Sequence, residues 1–480
     1  MKKIAGLVLF LVILILVGYY GMGIVTEHTV KNNVISLNKS SGIYGDLIEY
    51  KRGWFVSKAL FNWRLHIPAR TIKSADGQSQ TFAAQDYQVQ MPVTVQHGPI
   101  IFLHHDIKFG LGYAHTMVSL PDDIIKQFDD LFVNKSVKPQ LDLNLFINYF
   151  NNCLVQINVP KFNLIAKQGN MQVNWLGMTS AINVTSTMND LVGSISVDGV
   201  DFLKDQLNVI VGKILCQYNL HKNKYDLYLG DFNVIMPSLT IKNAQDPMFS
   251  IADFTFDSHS SVNDELFNSN IKTFVKQLNT TSRVIGPVNL KIAIKNLDTA
   301  ILVQINEQIN QMQQSTNDIA KQQALLTILP KIPGLLGRGA ELEISEMSIV
   351  VADTVVDGNL LISLPKTDKI GIFELIQKIH GTGSLKLPEL VLQDILKQSI
   401  KQKLLLQQNK EIPEPSNVSV DVQSHDMLQQ IKDMTSQQIT NMLQSGLLVK
   451  HDNYYVIDCK LQDGHLSINN KDFNAAMLKF

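Results

Sequence analysis

Leu141-Asp142-Leu143-Asn144-Leu145 and Val155-Gln156-Ile157-Asn158-Val159 place an apolar side chain on every second residue and a polar one between. A strand turns successive side chains to opposite faces, so each stretch reads as a strand with one dry and one wet face. The same alternation occurs upstream in Gln88-Val89-Gln90-Met91 and Val93-Thr94-Val95-Gln96. It returns downstream in Ile182-Asn183-Val184-Thr185, Ser194-Ile195-Ser196-Val197, Tyr225-Asp226-Leu227-Tyr228-Leu229, Ile251–Phe256, Asn289–Ile294 and Glu341-Leu342-Glu343-Ile344.

Turn dipeptides such as Gly169-Asn170, Asp198-Gly199, Asp357-Gly358 and Asp463-Gly464 separate many of these runs, and no long helical pattern interrupts residues 140–295. The connections therefore read as antiparallel meanders. One-sided strands in that number must close, stack as a sandwich or curl into a groove, because each carries an apolar face that needs cover. The expected fold is α+β and β-dominated: a long antiparallel meandering sheet, either an elongated groove or sandwich-like, covered by amphipathic helices.

The helical readings are Asp122–Phe132, Asp298–Leu329, Pro388–Gln408 and Asp426–Leu448, where apolar residues recur at three and four spacings. Their stripes would cap the sheet's apolar face or, alternatively, dock on a membrane or partner. A terminal hairpin is expected at Tyr454–Leu461 and Gly464–Ile468, turned at Gln462-Asp463.

At the other end, Met1-Lys2-Lys3 precedes an uncharged run from Ile4 to Val25. At about 1.5 Å per residue that run spans roughly 33 Å, enough for a bilayer's hydrocarbon core. It ends in Gly18-Tyr19-Tyr20-Gly21-Met22-Gly23, where bulky residues disfavour signal cleavage and tyrosines suit the interface. Residues 1–25 are thus expected to be an uncleaved transmembrane anchor. The two lysines hold the N-terminus in the cytoplasm and place all that follows on the far side. Residues 26–297 then read as a β-rich region, and 298–480 as a mixed helix and strand region packing on the same sheet.

Lys plus Arg (42) and Asp plus Glu (43) nearly cancel, which disfavours a nucleic-acid partner. The three cysteines, Cys153, Cys216 and Cys459, form no C-x-x-C pair; they read as buried apolar residues, or as one bridge with a thiol left over. His97, His104, His105 and His115 are the local histidine concentration but lack metal-ligand spacing, and Ser424-His425-Asp426 reads as a helix N-cap rather than a triad. Gly334–Gly339 reads as a turn, and the Asp122/Asp123 and Glu341/Glu343 pairs as solvated charges. No catalytic, cofactor-binding or metal-ligating set is found, so the expectation is a non-enzyme.

Two motifs stand apart. Arg52-Gly53-Trp54-Phe55-Val56-Ser57 joins a cation, a glycine and two aromatics, and His97-Gly98-Pro99 closes an alternating strand. The Arg-Gly-x-Phe-x-Ser pattern at Arg52, Gly53, Phe55 and Ser57, followed by His97, Gly98 and Pro99, resembles the YdgA-like family of bacterial envelope proteins. So does the order of anchor, Gly286–Leu290 strand, helix from Asp298 and terminal Asp463–Asn469 hairpin. The resemblance implies a Gram-negative cell-envelope protein, single-pass in the inner membrane with its bulk in the periplasm, and carries no catalytic residue across. From the residues, Arg52 is expected to pack over Trp54 or Phe55, and His97 to hydrogen-bond the turn before Pro99; the alternative is a small binding site near the membrane.

Two function classes remain open. One is a non-enzymatic envelope protein binding lipid or another apolar ligand in a β-groove. The other is an interaction scaffold, dimeric or with an envelope protein partner, using the helices between residues 388 and 448.

Overall fold

The computed structural model describes residues 16–28, 31, 44–67, 70–73, 79–103, 106–120, 122–314, 318–367, 371–411 and 425–473. It shows a β-dominated fold with a long antiparallel sheet and a few helices. Two compact units divide the chain: residues 1–259 with 303–329, and residues 260–302 with 330–480.

The first unit begins with helix α1 (residues 16–28). Ten strands follow: β1 (Tyr44–Lys51), β2 (Val56–Ile67), β3 (Arg70–Lys73), β4 (Ser79–Phe82), β5 (Gln85–His97), β6 (Ile100–Phe102), β7 (Ile107–Phe109), β8 (Gly112–Val118), β9 (Leu141–Ile147) and β10 (Cys153–Val159). Pairing runs β1–β2–β5–β8–β9–β10, all antiparallel. The β3–β4 and β6–β7 hairpins stand outside that ladder. Helix α2 (Asp122–Leu131) links β8 to β9, close to the expected bounds.

Register makes one face of this ladder apolar. Val95, Ala114, Leu145 and Val155 are direct cross-strand neighbours on β5, β8, β9 and β10, and Ser57 of β2 lies opposite Val95. Because side chains alternate, the residues two positions away share that face, and Ala59, Phe61, Met91 and Val93 are buried there with Val95. Each large apolar side chain so buried contributes about 1.5–3 kcal/mol. The alternation quoted from the sequence is therefore the register of a single continuous surface.

Beyond β10 the unit continues through β11 (Phe162–Ile165), β12 (Met171–Trp175), β13 (Met178–Val184), β14 (Asp190–Val197), β15 (Val200–Lys204), β16 (Leu207–Val211), β17 (Ile214–Lys222), β18 (Tyr228–Asn243) and β19 (Asp246–Asn263). Strand β18 is 16 residues long, well beyond the usual five or six. Its first half pairs with β17 as far as Ile235, and its second half with β16 from Leu239. Pro237 lies where the partner changes, a position at which a residue without N–H costs no ladder bond.

The second unit holds β20 (Leu266–Thr280), β21 (Val284–Asp298), β22 (Glu341–Val351), β23 (Thr354–Ser363), β24 (His380–Pro388), β25 (Val449–His451), β26 (Tyr454–Gln462), β27 (His465–Ile468) and β28 (Lys471–Asp472). From β20 to β24 successive strands pair, and β26 closes on β24. The terminal hairpin falls where its sequence put it. The expected helix from Asp298 is found as α3 (Thr299–Gln314) and α4 (Asp318–Ile328), which from Val303 on are counted with the first unit; Asp298 accepts the Ile301 N–H at 3.1 Å as an N-cap.

Two short helices are not legible in the sequence: α5 (Ile332–Leu336), which overlaps the start of the glycine-rich Gly334–Gly339 stretch expected to be a turn, and α6 (Ile372–Gln377). Both are single turns, too short to show a periodic stripe. Helices α7 (Glu389–Glu411) and α8 (His425–Ser445) bury Leu392, Leu396 and Ile439 with Leu448 and Tyr455, so their stripes cover sheet and each other. Glu341 and Glu343 are not simply solvated: both face Lys295, at 3.5 and 2.7 Å.

Of the run expected to span a membrane, residues 4–15 lie outside the described residues. Among the described residues no helix is long and apolar enough to cross a membrane. His104, His105 and Ser424 also lie outside them, and with Ser424 the expected N-cap.

Candidate functional site

Strand parity explains why the two motifs meet. On β5 the inward residues are Met91, Val93, Val95 and, last, His97; on β2 they begin with Ser57 and continue with Ala59 and Phe61. Antiparallel pairing sets Ser57 diagonal to His97, and the Ser57 hydroxyl lies 2.7 Å from His97 Nε2. Both are buried, Ser57 at 0% and His97 at 1% exposure, which shuts the pair away from solvent.

The loop between β1 and β2 folds back on this pair. The Gly53 N–H donates to Ser57 Oγ at 3.2 Å, and the His97 N–H to the Phe55 carbonyl at 2.8 Å. A serine hydroxyl has one proton and two acceptor sites, so Oγ can take the Gly53 N–H and still hydrogen-bond Nε2. Burial, and secondarily the Arg52 guanidinium, hold the imidazole pKa below its ordinary value. Nδ1 has no protein partner among the described residues. A β-carbon on Gly53 would stand 2.2 Å from the Val56 carbonyl oxygen, and one on Gly98 would stand 1.7 Å from that of Gly110. Only glycine permits either approach.

Helix α1 is the third party. Gly23 brings it close enough that a β-carbon there would touch the His97 ring at 3.5 Å. Tyr19 is buried, donates to the Ile100 carbonyl at 2.5 Å and meets Phe55 edge-on at 4.8 Å. Tyr20 lies 5.2 Å from Trp54. Arg52 does not pack over Trp54 or Phe55 as expected. Its guanidinium sits over the Tyr20 ring at 5.0 Å, donates to the Tyr20 hydroxyl at 3.2 Å and pairs with Glu27 at 3.4 Å. His97 likewise bonds Ser57 through its side chain rather than the turn before Pro99. That turn is held instead by Gly98 N–H to the Leu111 carbonyl at 2.9 Å and by Tyr149 hydroxyl to the Pro99 carbonyl at 2.6 Å. The Gly98–Pro99 bond is cis.

The two motifs, forty positions apart in sequence, thus meet in space, with Arg52, Phe55, His97 and Gly98 against α1. A hydroxyl and imidazole at hydrogen-bond distance have the makings of a nucleophile and base. Here both side chains are buried and, among the described residues, no carboxylate orients the imidazole; the contacts made by the pair tie the β1–β2 loop to the end of β5 beside α1. Tyr19, Tyr20, Gly23 and Glu27 complete the site, and the sequence marks none of them as partners of the motifs: two tyrosines at the end of an apolar run signal only an interface.

Next to this clamp, the apolar face of β2, β5, β8, β9 and β10 bounds a cavity of about 320 Å³, with Thr26 of α1 on its wall. Phe61, Trp63, Val93, Val95, Leu145 and Val155 are among the large apolar side chains of its lining. The few hydroxyls there turn to protein: Thr116 to the Pro92 carbonyl at 2.7 Å, Tyr113 to Asn144 at 2.7 Å. Cys153 shares the wall, and burial pushes its thiol pKa up to about 11. All three cysteines are free thiols. His115 hydrogen-bonds Asn144 at 2.7 Å, and no cluster suited to a metal occurs among the described residues.

Fold and site together define a β-dominated protein in which the apolar face of an antiparallel sheet bounds a cavity beside a helix clamped to that sheet. The chain belongs to the family described as "Bacterial protein of unknown function (DUF945)", whose family model matches residues 1–476. No curated protein and no solved structure matches it.

Proposed function

We propose that this is a non-enzymatic envelope protein that holds an apolar chain, such as the acyl chain of a lipid, in the cavity of its first unit. The observation that carries the reading is the lining itself. Its volume of about 320 Å³ lies at the lower end of small-molecule sites, roughly 300–1,000 Å³. No charged side chain lines it, and its hydroxyls are spent on protein acceptors, so a polar ligand would lose its hydration without replacement. An apolar chain loses nothing by entering.

The uncharged run Ile4–Val25 and the lysines before it support an inner-membrane anchor with the bulk of the chain in the periplasm. The motif likeness to YdgA-like proteins supports the same placement. Since Thr26 lies on the cavity wall, the cavity would open close to a source of lipid.

A fatty acid bearing a photoreactive diazirine on its chain tests the reading on the full-length protein in vesicles, with labelled peptides mapped by mass spectrometry. Label should concentrate in residues 91–95, 112–116 and 143–155, and Ala114→Trp should remove it. Label on these strands no heavier than on those of the second unit, or unaffected by Ala114→Trp, would overturn the proposal.

A further inference from the structure

The β6–β7 hairpin exposes an apolar face. Its register pairs Ile100 with Phe109 and Phe102 with Ile107, and alternation puts all four side chains on one side. Their exposures are 37%, 62%, 64% and 54%, whereas Ile101, on the other side, is buried at 1%. A two-stranded hairpin has no need of four large apolar residues facing water. Packed side chains of this size ordinarily mark a contact surface.

The hairpin is fastened to α1 by the bond from Tyr19 to the Ile100 carbonyl. On the same stretch of helix, Tyr19 and Tyr20 contact Phe55 and Trp54, themselves 50% and 55% exposed. Exposed aromatics therefore flank the helix at the level of residues 19–20. From there toward the N-terminus the sequence is uncharged back to Ile4. The Lys108 side chain, between Ile107 and Phe109, turns to the other side, with its ammonium 5.1 Å from the centre of the Phe146 ring.

We infer that the exposed face of Ile100, Phe102, Ile107 and Phe109, with Trp54 and Phe55, docks on the lipid surface from which the anchor emerges. The inference rests on the anchor reading above. What favours a lipid surface over a second copy of the chain is continuity: the patch surrounds the helix where the apolar run enters the folded unit. The Trp54 indole, with its polar N–H, is suited to the headgroup boundary, and the Phe and Ile side chains to the apolar region just beneath it. Docking there would hold the first unit at a fixed height above the bilayer, with α1 as its stem.

The test uses the full-length chain carrying Trp54→Phe, Trp63→Phe and Trp175→Phe, with a single tryptophan returned as Phe102→Trp or, separately, Phe109→Trp. Each chain is reconstituted in phosphatidylethanolamine–phosphatidylglycerol vesicles with and without brominated acyl chains. Both reporters should lose about half of their emission to brominated lipid, while a Val192→Trp reporter on β14, exposed at 44%, keeps its own. Quenching of both hairpin reporters no greater than that of Val192→Trp would overturn the docking. So would a Phe102→Cys chain that crosslinks to a second copy while its neighbours stay unquenched. If the chain fails to float with vesicles at all, the anchor reading falls and the docking with it. A chain that floats with its hairpin unquenched refutes the docking alone.

Discussion

Ser57 Oγ lies 2.7 Å from His97 Nε2, with both side chains buried at the meeting of two loops and a helix. Ser57→Ala strands the Gly53 N–H and the imidazole together, and a buried polar group left unpaired costs about 1–3 kcal/mol. Urea unfolding of the full-length chain should show a loss of that size. Arg52→Ala removes a partly exposed pair and should cost less, about 0.2–1 kcal/mol. The reverse order would show that the motif is organised around Arg52.

The same pair sets a pH dependence. His97 has its pKa lowered from 6.5 in the folded chain, so the unfolded chain takes up a proton that the folded one refuses. Its contribution is complete above about pH 6.5 and is lost as pH falls below that value toward the lower, folded pKa. Stability should therefore drop on acidification with a slope of up to about 1.4 kcal/mol per pH unit. In His97→Gln that component should vanish, and an unchanged slope between pH 7 and 5 would count against a buried neutral imidazole.

Glycine at 98 is a steric requirement. A β-carbon there would lie 1.7 Å from the Gly110 carbonyl oxygen, so Gly98→Ala must move backbone and should lower thermal stability well below wild type. Gly21 has nothing within 4 Å of its would-be β-carbon. Gly21→Ala should be neutral or stabilising by about 1 kcal/mol through helix propensity. Circular dichroism melts of the two variants check both directions, and equal effects would refute the close approach.

Cys153 reports on the cavity. With its thiol pKa raised to about 11, only about one thiol in a thousand is ionised at pH 8. In a Cys216→Ser, Cys459→Ser chain, iodoacetamide should leave native Cys153 unmodified over a time that fully labels the denatured chain. Mass spectrometry reads the outcome, and equal labelling of both states would place the thiol in water.

Ala114 lies directly between Val95 and Leu145 on the cavity floor. Ala114→Leu puts new methyl groups into empty space, so it should hold or raise the melting temperature, against the usual 1–3 kcal/mol cost of overpacking a filled core. A clear loss would mean that the site is already full of side chain.

What the sequence determined alone is the strand content, the sheet face each residue takes and the terminal hairpin, because alternation and turn chemistry act over a few residues. Leu143, Leu145, Val155 and Ile157 could be assigned to one apolar face without any coordinates. Even the burial of His97 was implicit, since it continues the Met91, Val93, Val95 parity. Tertiary structure decided what that face encloses and whom the motifs touch. No local rule sets β2 beside β5 in the register that brings Ser57 to His97, and none sends Arg52 to Tyr20 and Glu27 rather than to neighbouring Trp54. Those contacts depend on where α1 lies against the sheet, a choice made by packing across the whole first unit.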